Sequence, residues 1–349
     1  MLGGATGWIP FSVFEVLLAC AVLAAFWACS RNVHLLMVRQ RRLRNVALRA
    51  LLSVLALAGL VYGGGMLVWG IAYHRTSLAE RAGWDARPPT PEELRALCLE
   101  LANAANVTRR EVGEDGTGVM RLEGAQRRAL SRAHLGFDRA SQVHEFLAQG
   151  YAGRAKGSYV LSAAMSQLGL GGVFIPHTGE PTVNLELPDP ALPAAACHEI
   201  AHQMGFARED EASIVGYLGC TTHPDPEFRY SGYLSALGNS LWALERADPA
   251  TFRTIGDLVD PAVQRDRLAV YAFWARHESS VTRVGLRVND LYLKSQGQVA
   301  GVRSYGRVVE LLVAERRERE PGASTPSSFR RLLFSTRPPR ATGRADEGT

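Results

Sequence analysis

The pattern of apolar and polar positions divides the chain sharply. Residues 50–73 form a run of 24 with no ionisable acid or base other than tyrosine. At ~1.5 Å per residue, a helix of that length crosses a hydrocarbon core of about 30 Å. Residues 11–29 form a second apolar run of sufficient length, interrupted only by Glu15 near one end, where a carboxylate reaches the headgroup region. From about His74 onward, charged, polar and apolar residues mix with frequent Gly and Pro, the texture of a globular domain.

Inside that domain the punctuation predicts a mostly helical course. Thr90 is placed to cap a helix with Pro91 at its first position and Glu93 completing a capping box, so a helix is expected over 91–106. Gly-rich 113–118 reads as a loop, followed by helical segments around 123–135 and 140–149. At Gly171 the texture changes to Val173-Phe174-Ile175, a turn-rich 177–181, and an alternating run over 182–187 in which Val183, Leu185 and Leu187 share one side. This is the signal of a β-hairpin with its second strand buried on one side. Pro193 suits the first turn of a helix over 193–204, which Gly205 stops. Pro224-Asp225-Pro226 marks a turn, and 230–246, 264–278 and most of the remainder to about 316 read as helices. Beyond Glu320 the Pro, Ser, Thr, Gly and Arg content predicts a disordered tail. The expected fold is mainly α with a small β-hairpin or sheet (α+β): a membrane anchor over 1–75, a globular domain over 76–318 and a tail over 319–349.

Charge adds a topology. Arg31, Arg39, Arg41, Arg42, Arg44 and Arg49 cluster between the two apolar runs, and short loops this basic stay cytoplasmic. The globular domain is therefore expected outside the cytoplasm, on an integral cell (inner) membrane protein. Residues 1–30 hold no Lys or Arg, which argues against a cleaved signal peptide. The net charge of +5 sits largely in this loop and in the Arg-containing tail, so it does not point to a nucleic acid partner. Five cysteines give no legible disulfide framework. A Cys98–Cys220 bridge is chemically open outside the cytoplasm, and Cys197 reads as a small buried residue about 100° around the helix from His198.

The chemistry concentrates in His198-Glu199-Ile200-Ala201-His202. Histidines four apart project from one helix face and can share an ion, while the glutamate beside them can stay off the metal and take a proton from water. Arg208-Glu209-Asp210-Glu211 then opens another helix with acids in its first turn, and a carboxylate there can complete a three-ligand site with an open position. Glu209 is the chosen third ligand, because Ser213 follows four residues later where a polar partner can orient a ligand histidine. Glu211 stays open, since both acids also suit the helix dipole. The expected ion is Zn2+; imidazole and carboxylate also suit iron or manganese.

The stretch from His198 to Ala212 resembles the signature of a bacterial membrane-protein family classed as a domain of unknown function (domain of unknown function 3810), itself similar to gluzincin-type zinc metallopeptidases. The resemblance extends to 174–180, 230–234, 289–294 and 301–305 and covers nearly everything except the tail. It implies a zinc-peptidase-like fold behind two anchors. Relatives commonly carry Asn where this chain has Ser213, a departure that touches the orienting residue and not the ligands.

In gluzincin-like enzymes an antiparallel edge strand beside the metal helix binds the substrate backbone, and 182–187 is the candidate for that strand, with Glu180 in the preceding turn. An oxyanion donor is sought among His223, Tyr230, Tyr233, Asn289, Tyr292 and Arg303. The leading expectation is a membrane-anchored zinc peptidase acting on a peptide or protein: Glu199 is the general base, and His198, His202 and Glu209 are the metal ligands. The alternative is a non-catalytic anchored scaffold that retains a structural metal, for which a fourth ligand from Cys197 or Glu211 would speak.

Overall fold

The computed structural model describes residues 2–38, 42–295 and 307–319. A short helix α1 (Leu2–Thr6) precedes two long ones, α2 (Val13–Met37) and α3 (Leu43–Val68). Both are long and apolar enough to span a membrane, and no residue of either is buried. The helices extend past the expected spans because propensity continues across the flanking arginines: Arg31 lies in α2, Arg44 and Arg49 in α3. Arg39 and Arg41 lie outside the described residues.

A 3-10 turn (Gly70–His74) leads out of α3 into α4 (Leu78–Ala82) and α5 (Pro91–Arg109). The expected capping box is formed: Thr90 Oγ1 accepts from the Glu93 amide at 3.2 Å, and Glu93 Oε2 accepts from the Thr90 amide at 2.8 Å. There follow α6 (Gln126–Arg132), α7 (Leu135–Val143), β1 (Lys156–Ser158), α8 (Ser162–Leu168), β2 (Gly172–Ile175), β3 (Glu180–Asn184), α9 (Leu192–Gln203) and α10 (Glu209–Thr221). The chain closes through α11 (Pro226–Ala247), α12 (Pro249–Leu258), α13 (Pro261–His277), α14 (Ser280–Ser295) and α15 (Val308–Arg319). Helix therefore dominates and the sheet is small, as the pattern predicts.

The sheet corrects one expectation. Its order is β1-β3-β2, with β3 parallel to β1 and antiparallel to β2, so β3 is the central strand and every residue of it is buried. The run at 182–187 cannot be a free edge. The exposed side of the hairpin is β2, whose residues Gly172 to Phe174 are half-buried. Period-2 alternation beyond Asn184 belongs to a turn, where Leu187 reaches the core and Glu186 accepts from Ser166 Oγ at 2.6 Å.

Helix packing builds one core. Leu97, Leu101 and Ala105 of α5 meet Leu237, Leu241 and Leu244 of α11; Ile200 of α9 and Ile214 and Leu218 of α10 continue it. A buried charged cluster crosses it. Asp266 accepts from Arg109 Nε at 2.6 Å, from the Met120 amide at 2.7 Å and from the Tyr230 hydroxyl. Cys98, Cys197 and Cys220 are buried and unbridged, so the Cys98–Cys220 disulfide is not formed.

One buried imidazole sets an acid limit. His144 lies edge-on to Trp84 at 6.4 Å and tilted against Phe146 at 5.4 Å, and burial, helped by the charge of Arg319, pushes it down to about 4. An imidazole held neutral when folded but protonating near 6.5 when unfolded stabilises the fold above that pH; the stabilisation is lost as pH falls from 6.5 towards 4. The loss is on the order of 2–3 kcal/mol at ~1.4 kcal/mol per pH unit. Denaturant unfolding of wild type and His144→Phe at pH 7 and pH 4.5 checks this: the substitution should flatten the acid limb, and identical pH slopes would contradict it.

Candidate metal centre

α9 is where the sequence places its chemistry. Pro193 sits in its first turn, and the chain leaves it through Gly205, whose φ of +94° is a conformation that favours glycine. α10 lies tightly against it. A Cβ on Gly216 would stand 3.0 Å from the His198 amide nitrogen, so the close approach depends on the missing side chain. That approach carries the start of α10, and with it Glu209, to the histidine face.

The result is a convergence of three ligand-type side chains. His198 Nε2 lies 3.2 Å and His202 Nε2 3.6 Å from the same oxygen, Glu209 Oε2. Ligand atoms of the three residues all lie within 4.8 Å of one another. The second nitrogen of each ring is occupied in a way that frees Nε2. His202 Nδ1 is 2.7 Å from the Phe206 carbonyl oxygen and donates to it, and Ser213 Oγ lies 3.4 Å from His198 Nδ1.

Glu211 points elsewhere. Its Oε1 accepts from the Leu78 amide at 2.8 Å and from Arg208 Nη1 at 3.2 Å, which fastens α4 to the start of α10. Cys197 lies on the buried side of α9, its thiol 3.9 Å from the Ala133 carbonyl.

Glu199 occupies the space beside this cluster, under the sheet. A Cβ on Gly172 would fall 2.6 Å from Glu199 Cγ, so β2 passes directly over the carboxylate at the one residue type that leaves room for it. Glu199 is 5% exposed, and its Oε2 is buried without a hydrogen-bond partner among the described residues. An unsatisfied buried carboxylate oxygen costs energy and is rare in native folds.

The electrostatics agree with a site kept apart from water. Burial pushes the Glu199 carboxyl above its usual range; His198 and His202 oppose this only in part, and Glu209 adds to it. Burial alone would push His202 down, but the adjacent Glu209 carboxylate outweighs it and holds the imidazole up at about 9. Glu209 itself is held well below the usual carboxylate range by the two histidines, against its own burial.

The long apolar helices reach this place. Trp69, immediately after α3, has its ring 5.9 Å from that of His202, edge-on, and 4.7 Å from that of Phe174 in β2. Arg75 donates to the Gly205 carbonyl at 3.0 Å. On the opposite side of the sheet the start of α2 is held: the Glu180 carboxylate accepts from the Val13 and Phe14 amides, both at 2.9 Å, and pairs with buried Lys156. Glu180 thus does not sit in an open turn; it begins β3, is 1% exposed, and caps a helix.

The family model described as Protein of unknown function (DUF3810) matches residues 1–313. The chain belongs to this family. The match takes in both apolar helices and the whole α9–α10 region. Neither a curated protein nor a solved structure matches the chain.

The oxyanion candidates scatter. His223 is stacked on Phe228 at 3.9 Å and bonded to the Arg132 carbonyl and the Asp225 amide, and Tyr230 is fully buried against Asp266; neither faces Glu199. Tyr233 packs beside Tyr217 at 6.1 Å. Asn289 and Tyr292 lie in α14, and Arg303 lies outside the described residues. Sequence reasoning missed Trp69, Gly172 and the Phe206 carbonyl. A tryptophan closing an apolar run reads as an interfacial anchor; nothing local signals that it also touches a histidine.

Proposed function

We propose that this protein is a membrane-anchored zinc-dependent hydrolase, acting as a peptidase on a peptide or protein at the extracytoplasmic face, with His198, His202 and Glu209 as metal ligands and Glu199 as general base. The observation that carries the reading is the convergence of two Nε2 atoms and a carboxylate oxygen beside a buried oxygen of Glu199 that has no partner among the described residues. The donor set, two imidazoles and one carboxylate, fits zinc in a site whose fourth position is left to a water or substrate. A bound zinc ion would supply Lewis acidity to a water or a substrate carbonyl.

The remaining chemistry falls to the chain. Glu199 takes the proton of the attacking water and returns it to the leaving amine, a role favoured by a carboxyl whose pKa burial has raised. Phe206 and Ser213 fix the ring orientations of His202 and His198. β2 is the strand beside Glu199 with a side open to pair with an extended substrate.

Two features support the membrane reading. Helices α2 and α3 expose rows of large apolar side chains such as Leu23, Phe26, Leu55 and Leu60, a surface that an aqueous protein does not keep. The start of α2 and the end of α3 both dock on the same domain, which supports a topology with both ends on one side of the bilayer and the Arg-bearing connection on the other. The charge of that connection favours the cytoplasmic side for it.

The scaffold reading, with a closed four-ligand site, gains nothing: Cys197 and Glu211 are both engaged away from the three ligands. Elemental analysis of protein purified in detergent tests the proposal. Wild type is expected to carry about one zinc ion per chain and His198→Ala almost none. Wild type without a transition metal would sink the reading, and iron or manganese in place of zinc would change the reaction class.

A further inference from the structure

Helix α14 has three distinct sides. Thr282 and Gly285 face α8: a Cβ on Gly285 would stand 2.8 Å from Leu168, and a Cβ on Gly169 would stand 3.3 Å from Thr282. A second side, made by residues three and seven apart, carries Val281, Val284 and Leu291, which are 51%, 58% and 67% exposed. The third carries Arg283 and Arg287, both exposed, and Lys294, which pairs with Asp290 at 2.6 Å. An apolar stripe flanked by cations on a helix only partly packed against its own domain is the pattern of a helix lying in a bilayer surface.

The position of α14 supplies the occupant. Glu15, in the first turn of α2, accepts hydrogen bonds from the Tyr159, Val160 and Leu161 amides at 3.2, 2.9 and 3.2 Å. Those residues lead straight into α8, a helix of 7 residues and thus about 10 Å long, whose far end touches Thr282 of α14. Tyr159 and Val160 are themselves 53% and 70% exposed. Exposed apolar side chains therefore continue from the membrane-proximal turn of α2, past 159–160, to α14.

We infer that α14 is an in-plane membrane helix that seats the domain on an anionic bilayer surface, with Val281, Val284 and Leu291 in the acyl boundary and Arg283 and Arg287 against lipid phosphates. The inference rests on the membrane-spanning reading of α2 and α3, but not on the metal. It makes the domain a three-point mount, held by two spans and one surface helix.

The test uses the full chain in nanodiscs of anionic and zwitterionic phospholipids, one chain per disc. A Cys20→Ala, Cys29→Ala background leaves only buried cysteines, so an environment-sensitive fluorophore can be placed singly at Leu17→Cys, Val284→Cys, Leu291→Cys or Arg253→Cys. Arg253 is exposed on α12, which packs on α5 and α11. The expected result is at least twofold quenching of the 284 and 291 probes by lipids brominated near the headgroup, with little effect at 253. Quenching at 17 with none at 284 and 291 would overturn the inference while leaving the anchors standing. No quenching at 17 would overturn the anchors, and the inference with them. Shielding of 284 and 291 seen only in discs loaded with two chains would assign the stripe to a second copy and overturn it as well.

Discussion

Glu199→Gln is expected to keep about one zinc ion per chain while lowering peptide hydrolysis by roughly 10³-fold, the range in which a lost general acid–base group falls. The substitution is nearly isosteric, and the side chain lies wedged beneath Gly172, so the packing of β2 on α9 should be unchanged. None of the three ligand-type atoms belongs to Glu199, which is why metal content should not follow activity. The measurement is cleavage of a quenched-fluorescence peptide library by the nanodisc-embedded protein, with zinc quantified in the same preparation. The inactive variant should also retain uncleaved envelope peptides on purification. Unchanged cleavage in a zinc-loaded Glu199→Gln preparation would remove catalysis by this residue; loss of zinc together with activity would make its role structural.

The second large effect is on the joint between α2 and the domain. Glu180→Ala strips a buried ammonium, Lys156, of its counter-charge and two amides at the start of α2 of their acceptor. Breaking one side of a buried pair typically costs about 3–5 kcal/mol, because the remaining charge stays desolvated. For a domain of this size that corresponds to a fall in Tm of roughly 6–20 °C. Adding Lys156→Met should recover part of it, since the stranded charge is then gone but the Val13 and Phe14 amides still lack their acceptor. Thermal unfolding in detergent gives both numbers. A shift under about 2 °C for Glu180→Ala would show that the joint does not hold the fold together.

How far the sequence could be read differed from element to element. The two long helices were legible because uninterrupted apolar runs have few alternative structures, and the α5 cap because Thr-Pro-Glu-Glu satisfies the first-turn amides locally. The histidine face of α9 was legible for the same local reason. The carboxylate that joins the two histidines was not fully so: Glu209 and Glu211 are equivalent to the helix dipole, and what draws Glu211 away is the Leu78 amide, 133 positions away in the chain. The central place of β3 was hidden as well. Its parallel partner β1 is Lys156-Gly157-Ser158, three residues without an apolar pattern, so nothing in that segment announces a strand. Tyr230 and His223 show the converse. Residue types suited to an oxyanion site are equally suited to satisfying buried partners, and here Asp266 and the Arg132 carbonyl claimed them. The Asp248-Pro249 start of α12 was readable by capping rules and was overlooked.

The contact of Trp69 with His202 has a consequence for what this protein can recognise. If α3 spans a bilayer, a ring that follows it directly and touches the candidate centre would set the height of that centre above the lipid. If the protein is the anchored peptidase proposed above, the centre would work as a ruler: a polypeptide would be selected by how many residues separate its susceptible bond from the bilayer as well as by the side chains around that bond. Lengthening a substrate's juxtamembrane spacer by a few residues would move the cut along its sequence and leave its altitude unchanged.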